Sequence, residues 1–284
     1  MPIMAMVPFI KMHGLGNDFV VMDARKSPLA LAWGQEEARA ISDRHTGVGC
    51  DQFIMIETAG NPLADVFMRI RNADGTEVEQ CGNATRCIAH MIMKETGKDH
   101  VVIETKAGLL DAETGSDGQV AVDMGKAGLD WRDIPLAKAV DTLHLEIGEP
   151  PLFDPVAVSI GNPHAVFFVD DVETVPLETF GPGIEHHPLF PQFVNVEVAQ
   201  ILAPDRIRMR VWERGVGITR ACGTGACATV VAAHRRGLCE RAADVILDGG
   251  TLRIEWLRDG HVLMTGPVAV SFQGELDPRL LKKA

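Results

Sequence analysis

Two cysteines carry the most informative chemistry, in the strings Cys81-Gly82-Asn83 and Cys222-Gly223-Thr224. Each string precedes a stretch with apolar residues at helical spacing, so we expect each thiol at the N-terminus of a helix. There the positive end of the helix dipole and the free backbone N–H groups favour the thiolate, which predicts a thiol pKa lowered from about 8.5 toward neutrality. The glycine exposes those N–H groups, which form a cradle for a carboxylate.

A matched pair of thiols suits one type of reaction, the inversion of a carbon stereocentre. Inversion needs a base on one face of the carbon and an acid on the other, and the two groups exchange roles in the reverse direction. A tuned thiol can act as either near pH 7. The helix N-termini can hold a substrate carboxylate as it gains enolate character. The two strings therefore indicate a racemase or an epimerase.

The elements around the thiols occur twice in the same order, at a nearly constant offset of about 141 to 145 residues. Asn72 and Glu213 precede the two cysteines at equal distance, and Gly16-Asn17 matches Gly161-Asn162. This order predicts a duplicated domain, with a ligand cleft between the two halves. Helices are predicted at 34–44, 83–97 and 224–237. Strands are predicted at 18–23, 53–57, 65–70, 101–105, 119–124, 156–160, 165–169, 194–199, 206–212, 252–257 and 262–265.

The remaining cysteines and motifs exclude several other site types. We expect Cys50, Cys87, Cys227 and Cys239 to be buried as small hydrophobic residues. The spacings Cys81-x5-Cys87 and Cys222-x4-Cys227 do not match a zinc site, so no metal is predicted. The sequence contains no phosphate-binding loop, no dinucleotide fingerprint and no Gly-x-Ser-x-Gly hydrolase motif.

Composition narrows the class of protein further. The 284 residues carry 27 Lys and Arg against 39 Asp and Glu, a formal net charge of −12, which argues against a nucleic-acid partner. No long uncharged apolar run predicts a membrane span, and residues 1–10 are expected to lead into a strand rather than to form a signal peptide. Six cysteines are too few for a disulfide scaffold, so a cytoplasmic protein with reduced thiols is expected.

Longer strings resemble those of the diaminopimelate epimerase family, from about residue 9 to about residue 275. The two cysteine motifs together with Glu213-Arg214-Gly215 are highly specific, and Gly161-Asn162-Pro163-His164 is less so. The other strings are Lys11-Met12-His13-Gly14-Leu15-Gly16-Asn17-Asp18-Phe19, Asn72-Ala73-Asp74-Gly75, Glu79-Gln80-Cys81-Gly82-Asn83, Asn195-Val196-Glu197 and Ala221-Cys222-Gly223-Thr224-Gly225-Ala226-Cys227.

The resemblance implies an isomerase that uses no cofactor and no metal. It implies interconversion of LL- and meso-2,6-diaminopimelate, on the route to lysine and to peptidoglycan precursors, by a cytoplasmic homodimer. It also implies an α+β fold of two similar strand-rich, barrel-like domains, each around a central helix, with the active site in the cleft between them. The predicted domains are 1–127 with about 271–284, and 128–270, and the Pro-rich, acidic segment 128–155 is the expected boundary.

The resemblance also assigns roles to individual residues. Cys81 and Cys222 match the catalytic pair, and His164 and Glu213 match groups that tune the thiols and the reacting amine. The residues that match substrate-binding positions are Asn17, Gln52, Asn72, Gly82, Asn83, Asn162, Asn195, Glu213, Arg214, Gly223 and Thr224. The chemistry agrees, because Arg214 offers a fork for a distant carboxylate and Asn side chains offer acceptors for an ammonium group.

Two other functions fit the two thiols. One is a proline or hydroxyproline racemase, although the polar residues Asn72, Asn195 and Arg214 have no counterpart to bind on a proline ring. The other is a binding protein or redox switch without catalysis, in which Cys81 and Cys222 form a regulatory disulfide. Assays with both amino acids, and activity after oxidation, separate the three hypotheses.

Overall fold

A computed structural model describes residues 6–281, and these residues form two compact units. Unit 1 comprises the described chain up to Val122 together with the segment from Pro267 onward, and unit 2 comprises Asp123–Gly266. The sequence placed these divisions at 127/128 and at about 270/271. Residues 1–5 of the expected lead-in to the first strand, and residues 282–284 of the segment expected to return to the first domain, lie outside the described residues.

Unit 1 is a twisted run of strands with one long helix. Its elements up to the division are β1 (Val7–Gly14), β2 (Asn17–Asp23), α1 (Gln35–Ser42), β3 (Gln52–Glu57), β4 (Val66–Asn72), β5 (Glu77–Val78), α2 (Gly82–Thr96), β6 (His100–Thr105), β7 (Gly108–Thr114) and the start of β8 (Val120–Lys126). The β1–β2 and β3–β4 pairs are antiparallel, whereas β2–β3 and β4–β6 are parallel. The β6–β7 and β7–β8 pairs are antiparallel again.

Unit 2 repeats this pattern of pairing. Its elements are β9 (Gly148–Glu149), β10 (Leu152–Phe153), β11 (Val156–Ser159), β12 (Pro163–Phe168), α3 (Leu177–Glu185), β13 (Asn195–Ala203), β14 (Arg206–Glu213), β15 (Gly217–Thr219), α4 (Gly223–Arg235), β16 (Ala242–Leu247), β17 (Gly250–Trp256) and β18 (His261–Gly266). The β12–β13 and β14–β16 pairs are parallel, and the β11–β12, β13–β14, β16–β17 and β17–β18 pairs are antiparallel. The last strand, β19 (Ala269–Leu276), pairs antiparallel with β1 and so completes unit 1.

The long helix of each unit is buried on most of its sides. α2 packs against β1, β6 and β7, and α4 packs against β11, β12, β13 and β17. The middle of α4 is a run of small and β-branched residues from Ala226 to Ala233, all of them buried. A helix that is apolar nearly all round belongs in a core rather than at a surface. This confirms an α+β fold in which each half has a helix at its centre.

The structure differs from the predicted elements in one helix, in several strands and in the segment 128–155. The helix α3 was not predicted, because Gly181, Pro182 and Gly183 lower helix propensity and hide its pattern. The sequence also missed the strands β5, β7, β9, β10, β15 and β16, and β1 begins at Val7, where only a lead-in to a strand was expected. The segment 128–155 lies within unit 2, whose core contains its residues Ile134, Leu136 and Leu145. Its Pro and acidic residues therefore mark a folded loop rather than a linker. No helix of the described residues is long and apolar enough to cross a membrane.

Candidate active site

Both cysteines begin the central helix of their unit. Cys81 is the N-cap of α2, with φ −149° and ψ 109°, and Cys222 is the N-cap of α4, with φ −116° and ψ 111°. Each is extended, and the glycine after it is the first helical residue. The predicted position of both thiols at helix N-termini is therefore confirmed. Cys81 is half-buried and Cys222 is buried.

The other four cysteines are buried, as the sequence predicted. Burial raises the pKa of Cys87 to about 12, and burial likewise raises the pKa of Cys239 to about 12. Burial also raises the pKa of Cys50, whose thiol donates to the Ser42 hydroxyl at 3.3 Å. These thiols stay protonated near neutral pH and none of them is the N-cap of a central helix, which fits a packing role.

In unit 1 the Cys81 thiol faces side-chain amides. Its sulfur lies 3.8 Å from Asn17 Oδ1, and Asn83 Nδ2 donates to the same oxygen at 3.3 Å. Arg86 Nη2 donates to Asn83 Oδ1 at 2.8 Å from a fully buried position. Asn17 Nδ2 donates to Asp51 Oδ2 at 3.1 Å, which turns the amide oxygen of Asn17 toward the thiol. The Cys81 thiol therefore contacts a network of side-chain amides that also includes the buried cation of Arg86 and the carboxylate of Asp51.

Gln52 and Asn72 lie opposite each other on β3 and β4 of the same unit. Gln52 Nε2 donates to Asn72 Oδ1 at 3.1 Å, and Asn72 Nδ2 donates to Thr76 Oγ1 at 3.3 Å. Gln52 Oε1 is buried without a hydrogen-bond partner in the described structure. A buried acceptor of this kind is costly unless a ligand uses it.

In unit 2 the Cys222 thiol faces carboxylates. Gly225 N–H donates to its sulfur at 3.3 Å, and Thr224 Oγ1 lies 3.6 Å away. Glu213, which hydrogen-bonds to Cys222, also accepts from the Thr219 hydroxyl. Burial raises the pKa of Glu213, an effect that the Thr219 hydrogen bond partly offsets.

The expected lowering of the thiol pKa is wrong for Cys222. Burial raises its pKa well above the usual value, and the charges of Glu213 and Glu197 raise it further. The hydrogen bonds from Thr224 and Gly225 act in the opposite direction but are outweighed. The helix N-terminus is present as predicted, but the sequence did not reveal that the thiol beside it is buried next to two carboxyl groups.

A second chain of contacts in unit 2 runs away from the thiol. Asn162 Nδ2 donates to Thr224 Oγ1 at 3.4 Å, and Asn162 Oδ1 lies 2.9 Å from His164 Nε2. The other ring nitrogen, Nδ1, lies 2.7 Å from Glu197 Oε1, and both side chains are fully buried. The predicted residues Asn162, His164 and Thr224 thus lie together, and the structure adds Glu197 to them.

Asn195 and Arg214 hold the end of β14. Asn195 Nδ2 donates to the Pro163 carbonyl at 3.2 Å, and Asn195 Oδ1 accepts from Arg214 N–H at 2.9 Å. The Arg214 guanidinium is exposed and donates to the Gln192 carbonyl at 2.8 Å. Asn195, which was expected to offer acceptors to an ammonium group, therefore uses its amino group on the Pro163 carbonyl and its amide oxygen on the Arg214 N–H.

Strand register shows which residues are equivalent in the two units. Phe19 pairs with Gln52 across β2 and β3, and His164 pairs with Asn195 across β12 and β13. Asn17 therefore matches Asn162, Gln52 matches Asn195, and Asn72 matches Glu213. By the same register Phe19 occupies the position of His164, and Ile54 occupies that of Glu197. The two units therefore have the same arrangement of strands near their thiols, but different side chains occupy the equivalent positions.

Sequence reasoning missed Glu197, Gly225, Arg86, Asp51 and Glu185 as parts of these networks. The signal for Glu197 was present, because a carboxylate inside the apolar run 194–199 is unusual for a buried strand. Arg86 gives a similar signal on the apolar helix α2. Glu185 accepts from Trp212 Nε1 at 2.7 Å and from Gly215 N–H at 2.8 Å, and no sequence pattern predicts that role. Among residues 6–281, no group of three or more His, Cys, Asp or Glu side chains could hold a metal ion.

Solved structures of other proteins show which fold this chain has. A hydroxyproline epimerase from Agrobacterium vitis superposes with a TM-score of 0.67 at 17% identity, covering 96% of this chain and 93% of that chain. A phenazine biosynthesis protein from Enterococcus faecalis gives a TM-score of 0.67 at 14% identity, covering 95% of this chain and 99% of that chain. The chain has the α+β fold that these proteins share.

Sequence comparison identifies the protein family to which the chain belongs. The diaminopimelate epimerase family model matches residues 9–129 and 156–271. The diaminopimelate epimerase of Rhodospirillum centenum is 63% identical over 273 residues, which cover 96% of this chain and 93% of the relative. That of Acidiphilium cryptum is 57% identical over 274 residues, which cover 96% of this chain and 98% of the relative. The chain belongs to the diaminopimelate epimerase family, a family of isomerases, which confirms the resemblance.

Proposed function

We propose that the protein interconverts LL- and meso-2,6-diaminopimelate, with Cys81 and Cys222 as the two proton-transfer groups. The observation that carries the proposal is the repeated placement of one thiol at the N-cap of the central helix in each unit. Membership of the family supplies the substrate, because the relatives bear that enzyme's name. A proline racemase is the weaker candidate, since likeness to such enzymes extends only to the fold.

The proposed reaction moves one proton off the α-carbon and another onto it. One sulfur, as thiolate, takes the α-proton, and the C–H electron pair passes into the adjacent carboxylate as an enediolate. The other sulfur, as thiol, gives its proton to the opposite face of the carbon. One thiolate and one thiol are present before and after, so the reaction is balanced and needs no cofactor or metal. The backbone N–H groups of Gly82, Asn83, Gly223 and Thr224, in the first turns of α2 and α4, are proposed to hold the charged carboxylate.

The distant end of the substrate calls for acceptors and for one cation. Gln52 Oε1 is a buried acceptor without a partner in the described residues, which suits an ammonium group. Arg214 can bind a carboxylate through two parallel N–H bonds. Asn195 then acts by fixing the Arg214 backbone. Asn17, Asn72 and Asn162 complete the proposed substrate-binding set.

His164 and Glu213 are proposed to set the charge around Cys222 and the reacting amine. Glu213 hydrogen-bonds to Cys222, and burial holds its pKa above the usual value. A carboxyl group that shares a site with a thiol can take or return the proton on that thiol. This supports the expectation that Cys222 is tuned by its neighbours, although in the direction opposite to the one first predicted.

The cellular setting follows from the family and from charge. We infer a cytoplasmic enzyme of lysine and peptidoglycan precursor synthesis, with no nucleic-acid or membrane partner. The net charge of −12 supports the absence of a nucleic-acid partner. We further propose a homodimer, and the side chains Val270 and Phe272 of β19, each about half exposed, are candidates for its interface.

Turnover of the pure protein tests the proposal. With LL-diaminopimelate and no added cofactor, chiral chromatography is expected to show meso-diaminopimelate approaching an equilibrium mixture. The same protein is expected to leave L-proline and trans-4-hydroxy-L-proline unchanged. Racemisation of either ring compound without turnover of diaminopimelate would make the proline racemase the right choice. Full activity after peroxide treatment that joins Cys81 to Cys222 would contradict the assigned roles of both thiols.

A further inference from the structure

Glu197 is a fully buried carboxylate that no step of the proposed reaction uses. It lies on β13 between the buried residues Val196 and Val198. Its Oε1 atom is 2.7 Å from His164 Nδ1, and its Oε2 atom has no hydrogen-bond partner in the described structure. A buried carboxylate with one free oxygen is costly unless a positive charge faces it.

The hydrogen bonds of His164 supply that charge. The imidazole lies between two groups that accept, the Glu197 carboxylate at Nδ1 and the Asn162 amide oxygen at Nε2. The amide oxygen faces the ring because the Asn162 amino group donates to Thr224 Oγ1 at 3.4 Å. An ionised carboxylate and an amide oxygen cannot donate, so these two contacts fit an imidazolium, in which both ring nitrogens carry hydrogens.

The carboxylate also packs on the helix turn that holds the Cys222 thiol. A Cβ atom added at Gly225 would lie 2.7 Å from Glu197 Oε1 and 3.2 Å from the Cys222 sulfur. Gly225 is therefore glycine because the carboxylate occupies that space. The matching position in unit 1, three residues after Cys81, is Ala84, where Ile54 replaces the glutamate. Unit 2 therefore has a glycine where it has the carboxylate, whereas unit 1 has an alanine where it has an isoleucine.

We propose that Glu197 is a positioning residue, which holds His164 as an imidazolium and thereby fixes Asn162 and Thr224 against the Cys222 thiol. This inference rests on the proposed function and deepens it. Among the described residues, the titratable groups that interact with His164 are Glu197 on β13, which lies 2.7 Å from its ring, and Glu213 on β14. The imidazolium offsets one of the two carboxylates, so the thiol exchanges its proton beside one net negative charge rather than two.

Nitrogen NMR of the histidine rings tests the charge directly. The wild-type protein at pH 7 is expected to show both ring nitrogens of His164 protonated, with the signal assigned by its loss in His164→Gln. In Glu197→Gln the amide cannot balance a buried cation, so one ring nitrogen is expected to lose its proton. A wild-type ring with one protonated nitrogen would overturn the proposal, whatever the variants do.

Steady-state kinetics then test whether the charge on His164 affects turnover. Glu197→Gln is expected to lower kcat by about 100-fold with KM changed less than about threefold, the pattern for a lost acid–base contribution. Asp123→Asn removes another His–carboxylate pair of unit 2, His261 with Asp123 at 2.8 Å, and is the matched control expected to leave kcat unchanged. A Glu197→Gln protein with normal kcat would contradict the proposal.

A double-variant cycle separates positioning from general support of the fold. If Glu197 acts through His164, adding Glu197→Gln to His164→Gln is expected to cost little further activity. Two full and independent losses would mean that Glu197 does not act through the imidazole. The proposed function fails separately, because a wild-type protein that does not turn over diaminopimelate would refute it while leaving the NMR result intact.

Discussion

The two units hold the same thiol in the same backbone frame but give it opposite electrostatic surroundings. Around Cys81 the equivalent positions are Asn72, Phe19 and Ile54, together with the buried cation of Arg86. Around Cys222 they are Glu213, His164 and Glu197. Duplication preserved the part that depends on the backbone, which is the helix N-cap. It did not preserve the side chains that set the charge beside it.

Unit 1 pairs the acidic residues Asp18 and Asp51 with cations. Asp18 binds Lys11 and Arg44, and Arg44 also binds Asp51 at 2.7 Å. Burial alone raises the pKa of Asp18, but the hydrogen bonds from Arg44 and Lys11 outweigh it and hold that pKa well below its usual range. In unit 2 Glu213 hydrogen-bonds to the thiol, and the charges of Glu213 and Glu197 both raise its pKa. Two thiols at the same backbone position therefore have different charged groups beside them.

The largest expected effect is the loss of either thiol. Cys81→Ala and Cys222→Ala are each expected to lower kcat for epimerisation by at least about 1,000-fold, because each removes one proton-transfer group. Cys87→Ala, which changes a buried cysteine of α2 outside the site, is the control for the loss of a thiol as such. Near-native turnover by either single variant would show that the units do not each contribute one essential group.

The second-largest effect concerns Gly225, which leaves room for the Glu197 carboxylate in unit 2. Gly225→Ala is expected to lower kcat by about 10- to 100-fold, because the new Cβ meets Glu197 Oε1 at 2.7 Å and displaces the turn that donates to Cys222. Gly183→Ala, in the helix α3, meets no atom within 4 Å and is expected to leave kcat unchanged. Equal activity of the two variants would mean that the carboxylate does not constrain this turn.

A stability effect is expected in unit 1. Asp18→Asn is expected to lower the free energy of unfolding by about 3 kcal/mol at pH 7, since it leaves the buried Lys11 ammonium without its carboxylate. The pKa of Asp18 is lower in the folded than in the unfolded protein. Its contribution is therefore present above the unfolded value of about 4 and is lost as the pH falls below it. Urea unfolding of both proteins at pH 7 and pH 3 should show a difference that shrinks with acidity.

The smallest effect is a change in the titration of Cys222. Glu213→Gln removes a carboxylate that helps to raise the pKa of this thiol, so alkylation at Cys222 is expected to begin at lower pH than in the wild type. Iodoacetamide labelling across pH, followed by mass spectrometry of the Cys222 peptide, measures it. Glu185→Gln removes a buried carboxylate that does not act on Cys222 and should leave the labelling profile in place.

The sequence predicted the backbone positions of the two thiols better than the side chains that lie around them. The helix N-caps at Cys81 and Cys222 followed from spacing, and the repeat followed from the matched order of glycines, asparagines and cysteines. The pKa of Cys222 did not follow, because it depends on burial and on Glu197, a residue brought to the thiol by strand pairing. The helix α3 was hidden by Gly181 and Pro182, whose local propensities tertiary packing overrides. Local sequence patterns therefore located the two candidate catalytic thiols, whereas contacts between residues distant in sequence set the pKa of Cys222.

Deuterium incorporation during a short reaction in deuterated water tests the assignment of two separate proton-transfer groups most directly. With LL-diaminopimelate, we predict that the first meso product carries solvent deuterium at the inverted carbon while the remaining LL substrate keeps its hydrogen. That result follows if one thiol removes the proton and the other supplies a different one. Product that retains the original hydrogen, or equal early deuteration of substrate and product, would indicate a single group acting on both faces and would contradict the roles of Cys81 and Cys222.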